Sequence, residues 1–168
     1  QVSKLNMAVA GGTVSGKLGL DARKDVPLAT ADLFLQNIEL KTFFQNSKYF
    51  ETTDGKVGGK VILQGNGKSL ADVLGGADGA VQFGMTGGSF SELLLALADL
   101  DIQNALFIYI TDDHRIPIRC VAGGLTFSKG NAKFSRTLID TKESVVYVKG
   151  NLDLKAQTTK TELDADSK

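Results

Sequence analysis

Apolar and polar residues alternate with a period of two through much of this chain, and short glycine-rich segments interrupt the alternation. The alternation runs over residues 5–10, stops at the glycine pair 11–12, and resumes over 14–20. A period of two places one set of side chains on each face of a β-strand, and a glycine-rich break between two such runs predicts a hairpin. The predicted strands cover residues 5–10, 14–20, 32–40, 56–64, 80–85, 118–127, 132–138, 144–148 and 151–157.

Three short segments have helical rather than strand spacing. Apolar residues predict a helical turn within 37–50, and Ser69 is the predicted N-cap of a short helix. Ser89 and Glu92 have the spacing of a capping box ahead of an apolar stripe over 93–100. The predicted fold class is therefore mainly β, between all-β and α+β. We expect one curved antiparallel sheet that forms a groove or half-barrel, with two or three short helices.

The balance of charge argues against several kinds of partner. The chain carries 19 Lys and Arg residues and 19 Asp and Glu residues, so its formal net charge is zero. Nucleic-acid binding needs a basic surface that neutralises phosphates, and docking on anionic membranes also relies on positive charge. We therefore expect no nucleic-acid partner. The length of 168 residues fits one domain.

Templates for cofactor sites fail at named positions. Gly67, Lys68 and Ser69 match the end of a phosphate-binding loop, but Ile62 stands where that motif needs its first glycine. Leu70 likewise occupies the third glycine position of a dinucleotide fingerprint. One cysteine and one histidine are too few for a zinc site, which needs three or four ligands. We predict no cofactor, no metal site and no catalytic residue.

One catalytic arrangement stays open. Cys120, His114 and Asp113 could act as nucleophile, base and orienting acid if the fold brought them together. The polar run 112–115 is more typical of a solvated loop. Cys120 lies in an apolar strand, where a free thiol behaves as a small hydrophobe. The prediction is that this chain is not an enzyme.

Five segments between residues 60 and 168 match one protein family in order and spacing. They are GNGKSLADVL at 65–74 with DG at 78–79, GGSFS at 87–91 with the stretch 93–101, IRCV at 118–121, KG at 129–130 with LIDT at 138–141, and GNLDL at 150–154 with the polar strand that follows to 168. In these segments the chain resembles the C-terminal region of the AsmA family. Residues 1–60 resemble it only as glycine-rich alternating strands, and residues 112–116 have no counterpart in the pattern.

The resemblance implies a protein of the Gram-negative envelope. Members of the family are anchored in the inner membrane, project into the periplasm, and are associated with outer-membrane biogenesis and phospholipid transport between membranes. The family is similar to bridge-like lipid transfer proteins, whose curved sheets form an apolar groove. Residues 1–168 would then be a single C-terminal module of a longer, membrane-anchored protein. Its expected partners are phospholipid acyl chains and other envelope proteins.

Strand alternation selects candidate residues for contact with lipid. An acyl chain on an apolar sheet face gains about 0.8 kcal/mol for each buried CH₂ group. Two competing interpretations remain: these side chains form a core beneath the helices, or the chain is a structural or protein-interaction capping module with no ligand of its own. The candidate lipid-facing residues are Leu18, Leu20, Val81, Phe83, Met85, Phe127 and Phe134.

Overall fold

A computed structural model shows a chain dominated by β-strands, with two short helices. The structure describes residues 1–43, 53–91, 115–156 and 158–168. The strands are β1 (Val2–Val9), β2 (Gly12–Asp21), β3 (Leu28–Glu39), β4 (Lys56–Asn66), β5 (Asp78–Thr86), β6 (Ser89–Ser91), β7 (Arg115–Ser128), β8 (Asn131–Thr141), β9 (Ser144–Asp153) and β10 (Thr158–Ser167). The helices are α1 (Leu40–Phe43) and α2 (Leu70–Gly75).

Nine of these strands form one open sheet in chain order. The order is β1-β2-β3-β4-β5-β7-β8-β9-β10, and β6 pairs with β7 beside this path. Every pair along the path is antiparallel, so each strand turns back onto its predecessor. Strands β1 and β10 lie at the two edges of the described sheet. The predicted fold class is confirmed as one open antiparallel sheet with two short helices.

The β1–β2 hairpin turns one residue earlier than the glycine pair indicates. Ala10, with φ of 44°, and Gly11, with φ of 74°, form the two-residue turn, and Gly12 pairs with Val9 as the first residue of β2. Two-residue hairpin turns of this kind need positive φ at both turn positions. Glycine reaches that region without steric cost, whereas alanine occupies it only because the flanking strands hold it there.

Helix α2 confirms the N-cap predicted at Ser69. The Ser69 hydroxyl accepts a hydrogen bond from the Asp72 N–H, and the Asp72 carboxylate accepts one from the Ser69 N–H, each at 3.1 Å. This reciprocal capping box satisfies two donors that a helix leaves unpaired at its start. Helix α1 confirms a helical turn within 37–50, of which residues 44–50 lie outside the described part of the chain.

The second predicted capping box is wrong at Ser89. Ser89 lies in strand β6, where it pairs with Pro117 and exchanges backbone hydrogen bonds of 2.8 and 2.9 Å with Asp54. Glu92 and the predicted helix over 93–100 lie outside the described residues. Arg115 also departs from the predicted loop over 112–115, because it begins strand β7.

The predicted strand over 151–157 is also wrong. Residues 151–153 complete β9, and the last strand is β10. Gly150 pairs with Thr161 inside the ladder instead of ending the strand, at a φ of 136° that favours glycine. The chain turns after Asp153, whose carboxylate accepts hydrogen bonds from the backbone N–H groups of Lys155 and Ala156 at 3.0 and 2.8 Å.

A small hydrophobic core lies where α1 and β6 approach the sheet. Met85, Ile118 and Val121 are buried together. Helix α1 contributes Leu40 and strand β6 contributes Phe90 to the partly buried side chains around them. These short elements therefore cover a limited area of the sheet, and the core residues of β5 and β7 mark that area.

Gly79 shows why some positions inside the strands require glycine. Its φ is 136°, and a Cβ atom built there would collide with the backbone carbonyl oxygen of Ile62 on β4. A side chain at this position would push β4 and β5 apart. Gly84 in the same strand has no such constraint, because the nearest atom to its Cβ would be the Val121 carbonyl oxygen at 3.5 Å.

We expect Gly79→Ala to lower the free energy of unfolding by at least about 2 kcal/mol, since strain at such backbone conformations costs about 1–3 kcal/mol before the strand clash is added. Gly84→Ala should be neutral or stabilising by up to about 1 kcal/mol, because alanine loses less backbone entropy than glycine. Urea unfolding midpoints of the two variants test this. Equal midpoints would contradict the close approach of β4 and β5 at Gly79.

Candidate binding face

Register across the sheet determines which side chains share a face. Residues directly opposite one another on antiparallel strands project to the same side. Val61 on β4 pairs with Leu33 on β3 and with Val81 on β5, and Val81 pairs with Leu125 on β7. The pairing extends this row to Leu5 on β1 and to Phe134 on β8. This row crosses seven strands and carries an apolar side chain on six of them, since β2 contributes Gly16.

The rows above and below have the same character, and together they form what we call the apolar face. Along the nine-strand path, no paired residue on this side of the sheet is charged. The apolar face includes Leu5, Met7, Val14, Leu18, Leu20, Leu33, Leu35, Val61, Leu63, Val81, Phe83, Met85, Val121, Leu125, Phe127, Phe134, Val146, Val148 and Leu163.

The opposite side, the polar face, carries the charges of the paired strand residues. Some form ion pairs, such as Lys149 with Asp164 at 3.5 Å and Lys56 with Glu39 at 3.4 Å. These exposed pairs contribute little to stability, but they keep this side solvated. Its residues include Lys4, Lys17, Asp32, Lys60, Asp78, Lys133, Asp140, Asp153, Lys160 and Glu162.

The apolar face is covered unevenly. Met85 is 4% exposed in the small core, whereas Leu18 and Leu20 on β2 are 41% and 54% exposed. Helix α2 covers another part of the face, because the Val73 carbonyl lies directly over Gly65, where a Cβ would collide with it. The side of the face nearest β1 is therefore the part with the most accessible apolar surface among these residues.

All seven residues predicted to face lipid lie on the apolar face. Leu18 and Leu20 come from β2, Phe127 from β7 and Phe134 from β8, and the other three come from β5. Their contact with lipid stays a prediction. Met85 has little surface to offer, because it belongs to the buried core.

Sequence reasoning missed most of the apolar face. Four further apolar side chains on this face are not among the predicted lipid-facing residues: Leu33, Val61, Leu125 and Val148. Their strands do alternate, so the local signal was present. What alternation cannot provide is the cross-strand register, and without it the apolar sets of different strands cannot be assigned to one side.

The structure does not assemble the catalytic arrangement from described residues. Cys120 is a half-buried free cysteine that pairs with Thr86 and Asp140 on the polar face, whereas Asp113 and His114 lie outside the described ranges. In the parts of the chain that the structure describes, no cluster of His, Cys, Asp and Glu could hold a metal ion. No helix there is long and apolar enough to cross a membrane.

A charged pair marks the end of β2 beyond the exposed leucines. The Arg23 guanidinium donates to the Asp21 carboxylate through Nε at 2.8 Å and through a second nitrogen at 2.5 Å. These hydrogen bonds lower the pKa of Asp21 to about 2. Asp21 therefore stays ionised at neutral pH, and by its pairing with Leu28 it lies on the polar face at this end of β2.

The geometry defines a class of protein: an antiparallel β-sheet with one continuous apolar face and one charged face. The sequence model of the AsmA family matches residues 1–137, and the chain belongs to the AsmA family. The match includes the first sixty residues, where sequence reasoning found only a loose resemblance. Membership of this family points to a bacterial envelope protein related to outer-membrane biogenesis.

The chain is similar to the AsmA family protein YhjG of Escherichia coli strain K12, with 24% identity over 168 residues. The alignment covers 100% of this chain and 24% of that relative. The chain therefore spans about a quarter of the length of the curated relative it matches. No solved structure matches the chain.

We expect Val81→Asp to destabilise the fold by about 2–4 kcal/mol at pH 7, because it places a carboxylate between Val61 and Leu125 on the apolar face. Gln82→Asp, one residue along and opposite Lys60, should change stability by less than about 0.5 kcal/mol. Thermal or urea unfolding measures both.

The loss in Val81→Asp should also depend on pH. Desolvation raises the folded-state pKa of the new carboxyl above its unfolded value. The loss in free energy of unfolding is therefore small below about pH 4 and grows as pH rises towards the folded-state pKa. Equal effects of the two variants at pH 7 would contradict the assignment of faces.

Proposed function

We propose that this chain is a non-catalytic, periplasmic module of an AsmA-family protein that is anchored in the inner membrane. In this proposal the apolar face holds phospholipid acyl chains during transport that serves outer-membrane biogenesis. One observation carries the proposal: along the nine-strand path every paired charged residue lies on one face, while the other face is apolar and partly exposed.

The energetics of such a face suit an acyl chain. Each CH₂ group moved from water onto the apolar face contributes about 0.8 kcal/mol, so ten groups contribute on the order of 8 kcal/mol before ordering costs. A row such as Leu33, Val61 and Val81 offers continuous aliphatic contact across neighbouring strands. The contact needs no desolvation of charge, because the ionised groups of these strands face the other way.

Exposure separates this interpretation from a simple core. A monomeric protein rarely leaves contiguous apolar surface open to water unless that surface binds something. Leu18 and Leu20 are adjacent on one face of β2 and both are more than 40% exposed. The family is not known as a catalytic one, which supports a binding role over an enzymatic role.

The competing function is a structural or protein-interaction module that caps a larger assembly and has no lipid of its own. Both functions use the same sheet, so the discriminating observation is direct contact between acyl chains and the apolar face. In the capping interpretation, protein rather than lipid covers Leu18 and Leu20.

Photocrosslinking tests the proposal. The full chain is incubated with vesicles of phosphatidylethanolamine and phosphatidylglycerol that contain a trace phospholipid with a diazirine in its acyl chain. We expect adducts on peptides from β2 to β5, with modification at apolar-face positions. In the double variant Leu18→Asn, Leu20→Asn, adduct yield should fall about thirtyfold, because each substitution removes roughly 1 kcal/mol of apolar contact.

The matched control is the double variant Phe34→Asn, Ile62→Asn. These residues are each 46% exposed, close to the exposure of Leu18 and Leu20, but they lie on the polar face. Its adduct yield should change by less than twofold, with circular dichroism confirming that both variants fold. The proposal fails if the folded chain forms no adducts, or if both double variants lose them equally.

A further inference from the structure

Charge is not spread evenly over the polar face. Two neighbouring rows of this face cross the nine-strand path, one from Lys4 to Lys160 and the other from Asn6 to Glu162, and we call them the basic band. Six of the seven lysines that pair along the path lie in the band, and the two acids Asp32 and Glu162 leave an excess of four positive charges. The six are Lys4, Lys17, Lys60, Lys133, Lys149 and Lys160.

The other paired acids lie on both sides of the basic band. Asp21, Asp78 and Asp153 lie towards the end of the strands where α2 packs. Towards the end near α1 lie Glu39, Asp140, Asp164 and Asp166, accompanied by one paired lysine, Lys56. The zero net charge of the chain therefore contains a positive strip between two negative margins.

Most lysines of the basic band keep an accessible charge. Lys149 forms an ion pair with Asp164, and the other five form none with the acids that the structure describes. This holds for Lys17 as well, although Asp32 lies directly opposite it on β3. Lys17 and Lys133 are both exposed. The band is therefore a surface that attracts anionic groups.

Two exposed apolar side chains lie inside the basic band. Phe34 on β3 and Ile62 on β4 are diagonal neighbours, because Phe34 pairs with Lys60 and Ile62 is two residues further along β4. The Lys60 ammonium lies 4.8 Å from the centroid of the Phe34 ring, in a cation–π contact. Both apolar side chains are 46% exposed, so the band combines positive charge with an accessible aromatic and aliphatic pair.

The width of the basic band selects the shape of its partner. Asp153 and Tyr147, which lies opposite Asp164, are six residues apart on β9, so the two negative margins are about 20 Å apart. A flat anionic membrane would contact these acids together with the lysines. A single polypeptide segment is only about 10–12 Å across even when it is helical, and it can contact the band alone.

We propose that the basic band is a docking surface for an acidic segment of a partner polypeptide that lies across the strands. Its carboxylates contact the lysines of the band, and an apolar side chain packs on Phe34 and Ile62. Charge complementarity favours the encounter and rejects basic partners, while the apolar contact slows dissociation. This inference concerns the polar face and holds whether or not the apolar face carries lipid.

Fluorescence anisotropy with labelled peptides tests the proposal on the full chain. The probe is the blocked peptide GEEFLSGEEG. One control, GKKFLSGKKG, reverses its charge, and a second, GEESSSGEEG, lacks its apolar residues. We expect the probe to bind at least about tenfold more tightly than either control at an ionic strength of about 0.02 M. Its affinity should fall at about 0.15 M, because salt screens the attraction.

Charge variants locate the binding surface. The double variant Lys17→Gln, Lys133→Gln removes two charges from the basic band and should weaken probe binding at least about fivefold. Its matched control, Lys142→Gln, Lys155→Gln, removes the same charge from two exposed lysines outside the band and should change binding less than about twofold. Asp32→Asn removes an acid from the band and should strengthen binding about threefold.

Apolar variants separate this surface from the proposed lipid surface. Phe34→Asn, Ile62→Asn should weaken probe binding at least about fivefold, while it leaves lipid adducts nearly unchanged. Leu18→Asn, Leu20→Asn should have the opposite effects, because these leucines lie on the apolar face. The failure of one proposal therefore leaves the test of the other intact.

Three results would overturn the proposal. The first is a folded wild-type chain that does not prefer GEEFLSGEEG over the two control peptides at low ionic strength. The second is an equal loss of binding in the two lysine double variants, which would make the attraction a property of overall charge. The third is sedimentation with phosphatidylglycerol vesicles that Lys17→Gln, Lys133→Gln abolishes and Leu18→Asn, Leu20→Asn does not, which would make a membrane surface the occupant of the band.

Discussion

The structure depends on a strand pairing that places the apolar residues of all nine strands on the same side of the sheet. A shift of a single residue in any strand would move its apolar set to the charged side, since side chains alternate with a period of two. Leu33, Val61 and Val81 lie together only because β3, β4 and β5 are in phase. The two-residue turn at Ala10 and Gly11 fixes that phase at the first hairpin.

Where the alternation of apolar and polar residues is interrupted, a β-bulge returns the following apolar residues to the apolar face. In β3 the register shifts between Leu35 and Ile38, a step of three, and Asn37 takes a φ of 55° to absorb the extra residue. Strand β8 also contains one extra residue at a register shift near Arg136, which has a φ of 41°. After each bulge the next apolar or buried residue returns to the apolar face. These irregularities therefore serve the face and are not defects in the ladder.

Strands, hairpins and the α2 cap could be predicted from sequence because each depends on local signals. Ser69 was predictable from its position ahead of an apolar segment, and its partner Asp72 completes the capping box. The capping box predicted at Ser89 is wrong because the same spacing occurs in a segment whose backbone pairs with Asp54 and Pro117. The turn predicted at Gly150 is wrong because a glycine can lie inside a strand ladder as readily as in a turn.

The apolar face shows how far local reasoning reaches and where it stops. Alternation predicts the seven residues one strand at a time, and the cross-strand register places all of them on one side of the sheet. Composition could not reveal this, because a mean hydropathy of −0.01 averages over two opposite faces. The missing information was the pairing between strands, which depends on turns and bulges at positions such as Asn37 that carry no strong sequence signal.

The chemistry of the apolar face also limits what it can recognise. Only six apolar residues are buried among the described parts of the chain, so the sheet leaves much of this face without the second layer that sheets normally pack against. Because none of its paired residues is charged, the face offers only non-directional contact, and the proposed binding of acyl chains would not distinguish one phospholipid headgroup from another. In the proposed function, any selectivity for a headgroup therefore comes from groups outside the apolar face.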